Sequence, residues 1–457
     1  MTSAIAASSS FVPLRSHTDD DLSMKPKTKF SRRELMVGGA TALTTLVLGA
    51  NHADAAAPTA PVLEPTGAGW PARRKEIERG WLGLLGDFPK EIPALRPVMR
   101  EAARENGLAR YHVKFHAEDD DVVTAWLLVP DAARQHRTPA IICLHSTTFG
   151  SGKDMTVGLA GRRKGDPPLD AALGTATGLE LARHGFVTLS IDLLNDGERI
   201  TGERKGDSRA FYRKHPEWSV VGKNTWDVMR SVDFLQTLDF VDRAQIGCIG
   251  WSLGGHSTLF AAAFDSRITA AISNGGVLDW HHRSDSWSRS DEYVPGPNAE
   301  LTRRFGFPVE LGPNVLIKKA RPYIAGSTAL PPADFDQLMM MVAPRPLMII
   351  SSEWEFYSHK IMPKCVAAAR VYAEWRDAPG LPSVVEARKR RLGHDRTLAY
   401  YAHHNRLTPE QISGMLEQVG AGDCFGWFSF PGGHSYPGVA RRHTFAWFDR
   451  WLGRSLS

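Results

Sequence analysis

A chain of 457 residues is long enough for one large domain or two ordinary ones. An apolar share of 42% and a charged share of 23% sit at the averages for water-soluble globular proteins and argue against a disordered or membrane-embedded chain. The formal net charge of +5 arises from 55 basic and 50 acidic residues mixed along the sequence. The densest basic run, Arg388 to Arg391, reads as a solvated helix face, so no nucleic-acid partner is expected.

The N-terminal segment reads as an address. Residues 1–30 are polar and irregular, and Ser31-Arg32-Arg33-Glu34-Leu35-Met36 then runs into the apolar stretch Val37 to Ala50. That stretch is shorter than the ~20 apolar residues of a membrane-spanning helix and is diluted by glycine, alanine and threonine, so no permanent membrane anchor is expected. Ala53-Asp54-Ala55 offers small residues at the positions a signal peptidase reads. The segment resembles a twin-arginine signal peptide over 1–55, followed by an alanine- and proline-rich linker over 56–69. That resemblance implies cleavage after Ala55, the twin-arginine translocase as a partner during export, and a periplasmic or secreted mature protein whose catalytic domain spans residues 70–457.

The mature chain opens with apolar residues at helical spacing: Ile77, Trp81, Leu84 and Leu85, then Leu95, Val98 and Met99. Pro89 and Pro93 divide this stretch into two expected helices. Tyr111 to Phe115 and Val122 to Val129 read as a strand pair. Strand-like and helix-like segments then alternate. The expected strands are Ala140 to Leu144, Phe186 to Ile191, Ile246 to Gly250, Ile268 to Ser273, Pro346 to Ser351 and Cys424 to Phe430. The expected helices are Leu179 to Arg183, Trp226 to Leu238, Ser257 to Phe264 and His443 to Leu452. Such alternation predicts an α/β fold with a mostly parallel sheet covered on both faces. Two stretches break the rhythm and read as lid-like insertions, about 280–335 with seven prolines and about 376–420. Cys143 and Cys248 fall in apolar strands, and no spacing among the four cysteines calls for a disulfide.

The chemistry centres on Gly250-Trp251-Ser252-Leu253-Gly254-Gly255, a Gly-x-Ser-x-Gly sequence placed after a buried strand and before a helix. Serine in so sharp a turn leaves no room for side chains at Gly250 or Gly254, and its hydroxyl is thrust outward. Serine is a weak nucleophile at neutral pH and needs a histidine base oriented by a carboxylate, met in the chain order serine, acid, histidine. His434, in the loop after the last strand, is the expected base; His281, His282, His403 and His404 fall in the insertions. The acid should follow the strand ending at Ser351, where Glu353 and Glu355 compete and register favours Glu355. An oxyanion hole needs two preset backbone N–H groups, and Leu253 and Thr147 are the expected donors, Thr147 ahead of Ser146. His145 is expected to stabilise that loop rather than to react. Gly150-Ser151-Gly152-Lys153-Asp154 lacks the leading glycine and the final hydroxyl of a phosphate loop. No cofactor or metal is expected, because the side chains of paired histidines such as His281-His282 diverge.

Taken together, Leu144 to Lys153, the turn Asp196-Gly197-Glu198-Arg199, Asp242 to Gly250, Ala343-Pro344-Arg345-Pro346 and Gly433-His434-Ser435-Tyr436-Pro437 resemble the dienelactone hydrolase and acetyl xylan esterase-like branch of the α/β-hydrolases. The likeness covers roughly Trp70 to Leu452 and departs at the glutamate acid, at Ser146 where a glycine is common, and in the long stretch between acid and base. It implies a serine esterase with a Ser-His-Glu triad, acting on a small-molecule or carbohydrate ester. A prolyl oligopeptidase-like peptidase and a non-catalytic hydrolase-like binding protein are the alternative readings. The first lacks a repeat domain ahead of the catalytic part, and the second would be expected to have lost a triad member.

Overall fold

The structure, a computed structural model, describes residues 69–147, 151–159, 176–200, 207–280, 315–323, 327–352, 358–374, 424–430 and 433–453. The expected leader, the linker up to residue 68, residues 281–314 of the first insertion and the whole of the second lie outside the described residues. So do His281, His282, His403, His404 and the run Arg388 to Arg391. Among the described residues no helix is long and apolar enough to cross a membrane.

The first helix, α1 (Trp70–Leu85), buries Trp70, Ile77, Trp81, Leu84 and Leu85 on one face. It ends at Gly86 (φ 85°), where a Cβ would lie 2.5 Å from the Glu217 carbonyl oxygen. The second helix expected around Leu95 to Met99 is not formed. Val98–Glu105 is instead strand β1, paired antiparallel with β2 (Leu108–Glu118), which pairs in turn with β3 (Asp121–Pro130). The residues of β1 are good helix formers, but Asn106 (φ 52°) and Gly107 (φ 76°) close a two-residue hairpin in which Glu105 faces Leu108. An Asn-Gly pair adopts this turn readily, and the ladder it starts overrides the local helix preference.

Six further strands complete one nine-stranded sheet: β4 (Thr138–Leu144), β5 (Val187–Ile191), β6 (Val241–Trp251), β7 (Ile268–Asn274), β8 (Leu347–Ser352) and β9 (Phe425–Phe430). The strand order is β1-β2-β3-β5-β4-β6-β7-β8-β9. Pairings from β1 to β5 are antiparallel, and every pairing from β5 through β4 to β9 is parallel. The expected α/β-hydrolase architecture, mostly parallel with helices on both faces, is therefore present.

Alternation along the strands splits the core in two. Ile142, Leu144, Leu189, Cys248, Ala271 and Ile349 join Trp81, Trp226, Phe234, Phe260 and Phe335. After α1 come the short helices α2 (Lys153–Thr156), α3 (Thr177–Arg183) and α4 (Arg209–Lys214), and these aromatic side chains come from α1, α5 (Val220–Gln236), α6 (Leu253–Phe264) and the helix Phe335–Val342. On the opposite face Ile141, Cys143, Ile249, Ile272, Met348 and Ile350 pack with Leu181, Phe186, Trp447 and Phe448. Each fully buried aliphatic or phenyl side chain contributes about 2 kcal/mol from lost water contact. All four cysteines are buried thiols.

Candidate active site

Strand β6 runs through the buried sequence Ile246 to Gly250, then turns at Ser252 into α6. Ser252 has φ 56° and ψ −115°, a conformation that L-residues adopt only under constraint. The constraint is visible in the flanking glycines. A Cβ on Gly250 would sit 2.2 Å from the Gly254 carbonyl oxygen, and one on Gly254 would sit 2.3 Å from the Leu144 carbonyl oxygen. The Ser252 N–H donates to the Asn274 carbonyl (2.8 Å), and the Ser252 carbonyl accepts from the His256 N–H (3.0 Å). Leu253 is the first residue of α6, whose twelve residues direct their N-terminal dipole at the turn.

Parallel pairing sets Leu144 beside Gly250, Trp251 beside Asn274, Asn274 beside Ile350 and Ile350 beside Phe428. The loops after β4, β6, β7, β8 and β9 therefore leave the same edge of the sheet, and Thr147, Ser252 and His434 lie in three of them. His434, after β9, lies against the elbow, its ring centroid 5.2 Å from that of Trp251. Its neighbour Ser435 offers a carbonyl 3.5 Å from Asn274 Nδ2. Glu353 and Glu355, the competing acids, lie outside the described residues. The described part of β8 stops at Ser352, which pairs with Phe430, four residues before His434.

The loop after β4 behaves as expected of His145. This side chain is buried; the Leu193 N–H donates to Nε2 at 3.0 Å, so the ring proton is on Nδ1, which donates to the Ser146 carbonyl at 2.6 Å. The peptide that follows is trans, so fixing the Ser146 carbonyl turns the Thr147 N–H the opposite way. Thr147 itself is exposed. The near-miss phosphate loop is part of the same support. Gly152 (φ 51°) lies so close to Asp192 that a Cβ would meet Oδ1 at 2.0 Å. Lys153 is buried and pairs with Asp192 at 2.6 Å and Glu198 at 2.7 Å.

Behind that pair, Arg199 bonds Asp227 and Asp121, both at 2.7 Å, and Lys223 bonds the same two carboxylates. These clusters tie the loop after β5 to β3 and α5. Burial opposes ionisation of Glu198, but Lys153 and His112 beside it hold the carboxyl down to about 2. Burial likewise opposes ionisation of Asp121, and the Arg199 and Lys223 charges push its pKa far below the usual carboxylate range.

Three residues at this edge were not singled out in the sequence: Asn274, His256 and Trp251. Asn274 bridges the Ser252 turn and the His434 loop, and its signal was only a polar residue ending a buried strand. His256, one turn into α6, donates through Nδ1 to the Gly276 carbonyl at 2.5 Å. Burial, reinforced by the nearby His434, pushes its pKa down to about 4, against the pull of the Gly276 bond. Among the described residues no cluster of three or more His, Cys, Asp or Glu side chains could hold a metal ion.

This architecture and elbow define the α/β-hydrolase fold. A family model described as "Glucuronyl esterase, fungi" matches residues 168–375. Among solved structures, a glucuronoyl esterase from Solibacter usitatus is 18% identical, covers 84% of this chain and 93% of its own, and has a TM-score of 0.53. A promiscuous CE15 esterase from the marine bacterial metagenome is 16% identical, covers 85% of this chain and 93% of its own, and has a TM-score of 0.54. At such identities the structural likeness speaks for the fold. YtaP of Bacillus subtilis, named as a hydrolase, is 26% identical over 216 residues, which is 46% of this chain and 65% of that relative's length. The expected likeness was to dienelactone hydrolases and acetyl xylan esterases; a protein named as an acetyl xylan esterase from Bacteroides fragilis is among the similar solved structures, at 18% identity and a TM-score of 0.48, and the matching family model is one of glucuronyl esterases.

Proposed function

We propose that this protein is a serine hydrolase that cleaves carboxylic esters of carbohydrates, with esters of uronic acids as the favoured class. The observation that carries the reading is the constrained Ser252 turn with the His434 ring beside it, at the edge where all the parallel strands end. The family-model match and the esterase names of the structural neighbours support the substrate class.

In this mechanism His434 removes the Ser252 hydroxyl proton as Oγ bonds to the acyl carbon. The N–H groups of Leu253 and Thr147 receive the oxyanion, each worth about 3 kcal/mol of barrier. Collapse breaks the bond from acyl carbon to alkoxy oxygen, and the imidazolium returns its proton to the leaving alcohol. Water, deprotonated by His434, then frees the carboxylic acid and restores Ser252. Glu355, with Glu353 as the alternative, orients His434 and balances its charge. The Ser-Arg-Arg-x-Leu leader supports export through the twin-arginine translocase, which would bring the enzyme to plant polysaccharide. Cell fractionation of wild type and an Arg32→Lys, Arg33→Lys variant tests that step, with retention of the variant in the cytoplasm expected.

The direct test compares a benzyl ester of glucuronic acid, acetylated xylan and the amide matching the glucuronoyl ester. Hydrolysis of the glucuronoyl ester, its loss by at least about a thousandfold in Ser252→Ala, and little turnover of the amide are expected. Unchanged ester turnover in Ser252→Ala would overturn the reading.

A further inference from the structure

Trp251, the last residue of β6, packs its indole against the imidazole of His434, with ring centroids 5.2 Å apart and planes tilted by 37°. The tilt is nearer to stacking than to an edge-on contact, so the histidine ring lies over the π surface. The indole N–H is shut off from solvent and has no hydrogen-bond partner among the described residues. A buried donor without a partner is a cost that phenylalanine, filling much of the same space, would avoid. What tryptophan offers in exchange is the aromatic face that attracts cations most strongly, at a separation within the roughly 6 Å over which that attraction acts.

We propose that Trp251 is a positioning residue that holds the His434 ring in place and stabilises its imidazolium through the indole face. The inference rests on the reading of His434 as the base. In the catalytic cycle that histidine becomes cationic when it takes the Ser252 proton, so an interaction confined to the cation lowers the barrier without tightening substrate binding.

The other groups facing His434 sharpen the argument. From α6 comes His256, buried and neutral at working pH, which offers no compensating negative charge. From the end of β7 comes Asn274, uncharged and bonded to the Ser435 carbonyl. Glu353 and Glu355, the expected acids, lie outside the described residues.

The test uses the full chain and variants Trp251→Leu and Trp251→Phe, with the pH profile of ester hydrolysis and an NMR titration of the His434 ring. Because the indole favours the protonated base, its removal should move the acid limb of kcat/KM to lower pH, by roughly half to one pH unit in Trp251→Leu. The plateau of kcat should fall about tenfold, with KM little changed, and Trp251→Phe should lie between. A loss of packing alone would lower the plateau and leave the limb where it is, and that result would overturn the proposal. If Trp251→Leu fails to fold, an unmoved limb and an unmoved His434 titration in Trp251→Phe overturn it equally. Full activity in His434→Asn would instead sink the base assignment itself, whereas inactive His434→Asn with unmoved limbs in the Trp251 variants defeats only the role of the indole.

Discussion

Gly254 shows how little freedom the Ser252 turn has. Its Cα faces the Leu144 carbonyl oxygen at a distance where a methyl group would lie 2.3 Å away, and the His145 carbonyl at 2.7 Å. Both contacts are backbone, so neither can swing aside. Gly254→Ala should cost about 1–3 kcal/mol of stability by overpacking and should lower kcat far more than the loss of folded protein explains. Thermal melting read beside turnover separates the two effects. In the proposed mechanism its near neighbour His145 acts through the peptide that it holds. His145→Gln removes the ring that fixes the Ser146 carbonyl, so kcat should fall by roughly tenfold or more through a misdirected Thr147 N–H, with KM nearly constant. A variant with wild-type kcat would show that the Thr147 N–H needs no such support.

At the scale of elements, charge pairing holds the loops where the strands end. Asp227 on α5 is buried and accepts from both Arg199 and Lys223. Replacing a buried pair with apolar groups can be neutral, but removing one partner strands the others. Asp227→Ala should therefore cost about 3 kcal/mol or more, measurable as a lower urea midpoint, and should loosen the segment Asp192 to Arg199 to hydrogen exchange before the rest of the sheet. The hairpin Val98–Glu118 makes the opposite point. Ala, Arg and Glu in β1 prefer helix, and the sheet forms because Asn106-Gly107 closes the turn and β2 supplies the ladder. That dipeptide was the legible signal, outweighed in the sequence by helical spacing from Leu95 to Met99.

For the whole molecule, the shifted groups set the direction of acid stability. Glu198 is held at about 2 in the fold against an ordinary value of 4.5, so its contribution is complete above about pH 4.5 and fades as pH falls toward 2. His256 is held at about 4 against 6.5, so protonation favours the unfolded chain and stability drains between about pH 6.5 and 4. Denaturant midpoints should thus decline in two stages on acidification. His256→Gln should flatten the first and Glu198→Gln the second; parallel curves for wild type and variants would contradict these assignments.

The sequence by itself determined the alternation of strands and helices, the serine turn and the position of the His434 loop. Each of these is written in local periodicity and in glycines with a steric role. Only the tertiary structure decided the fate of β1, the peptide orientation at Ser146, the bridge made by Asn274 and the indole face against His434. Those depend on which strand ends meet, and residues as far apart in the chain as Trp251 and His434 become neighbours only when the parallel sheet is assembled.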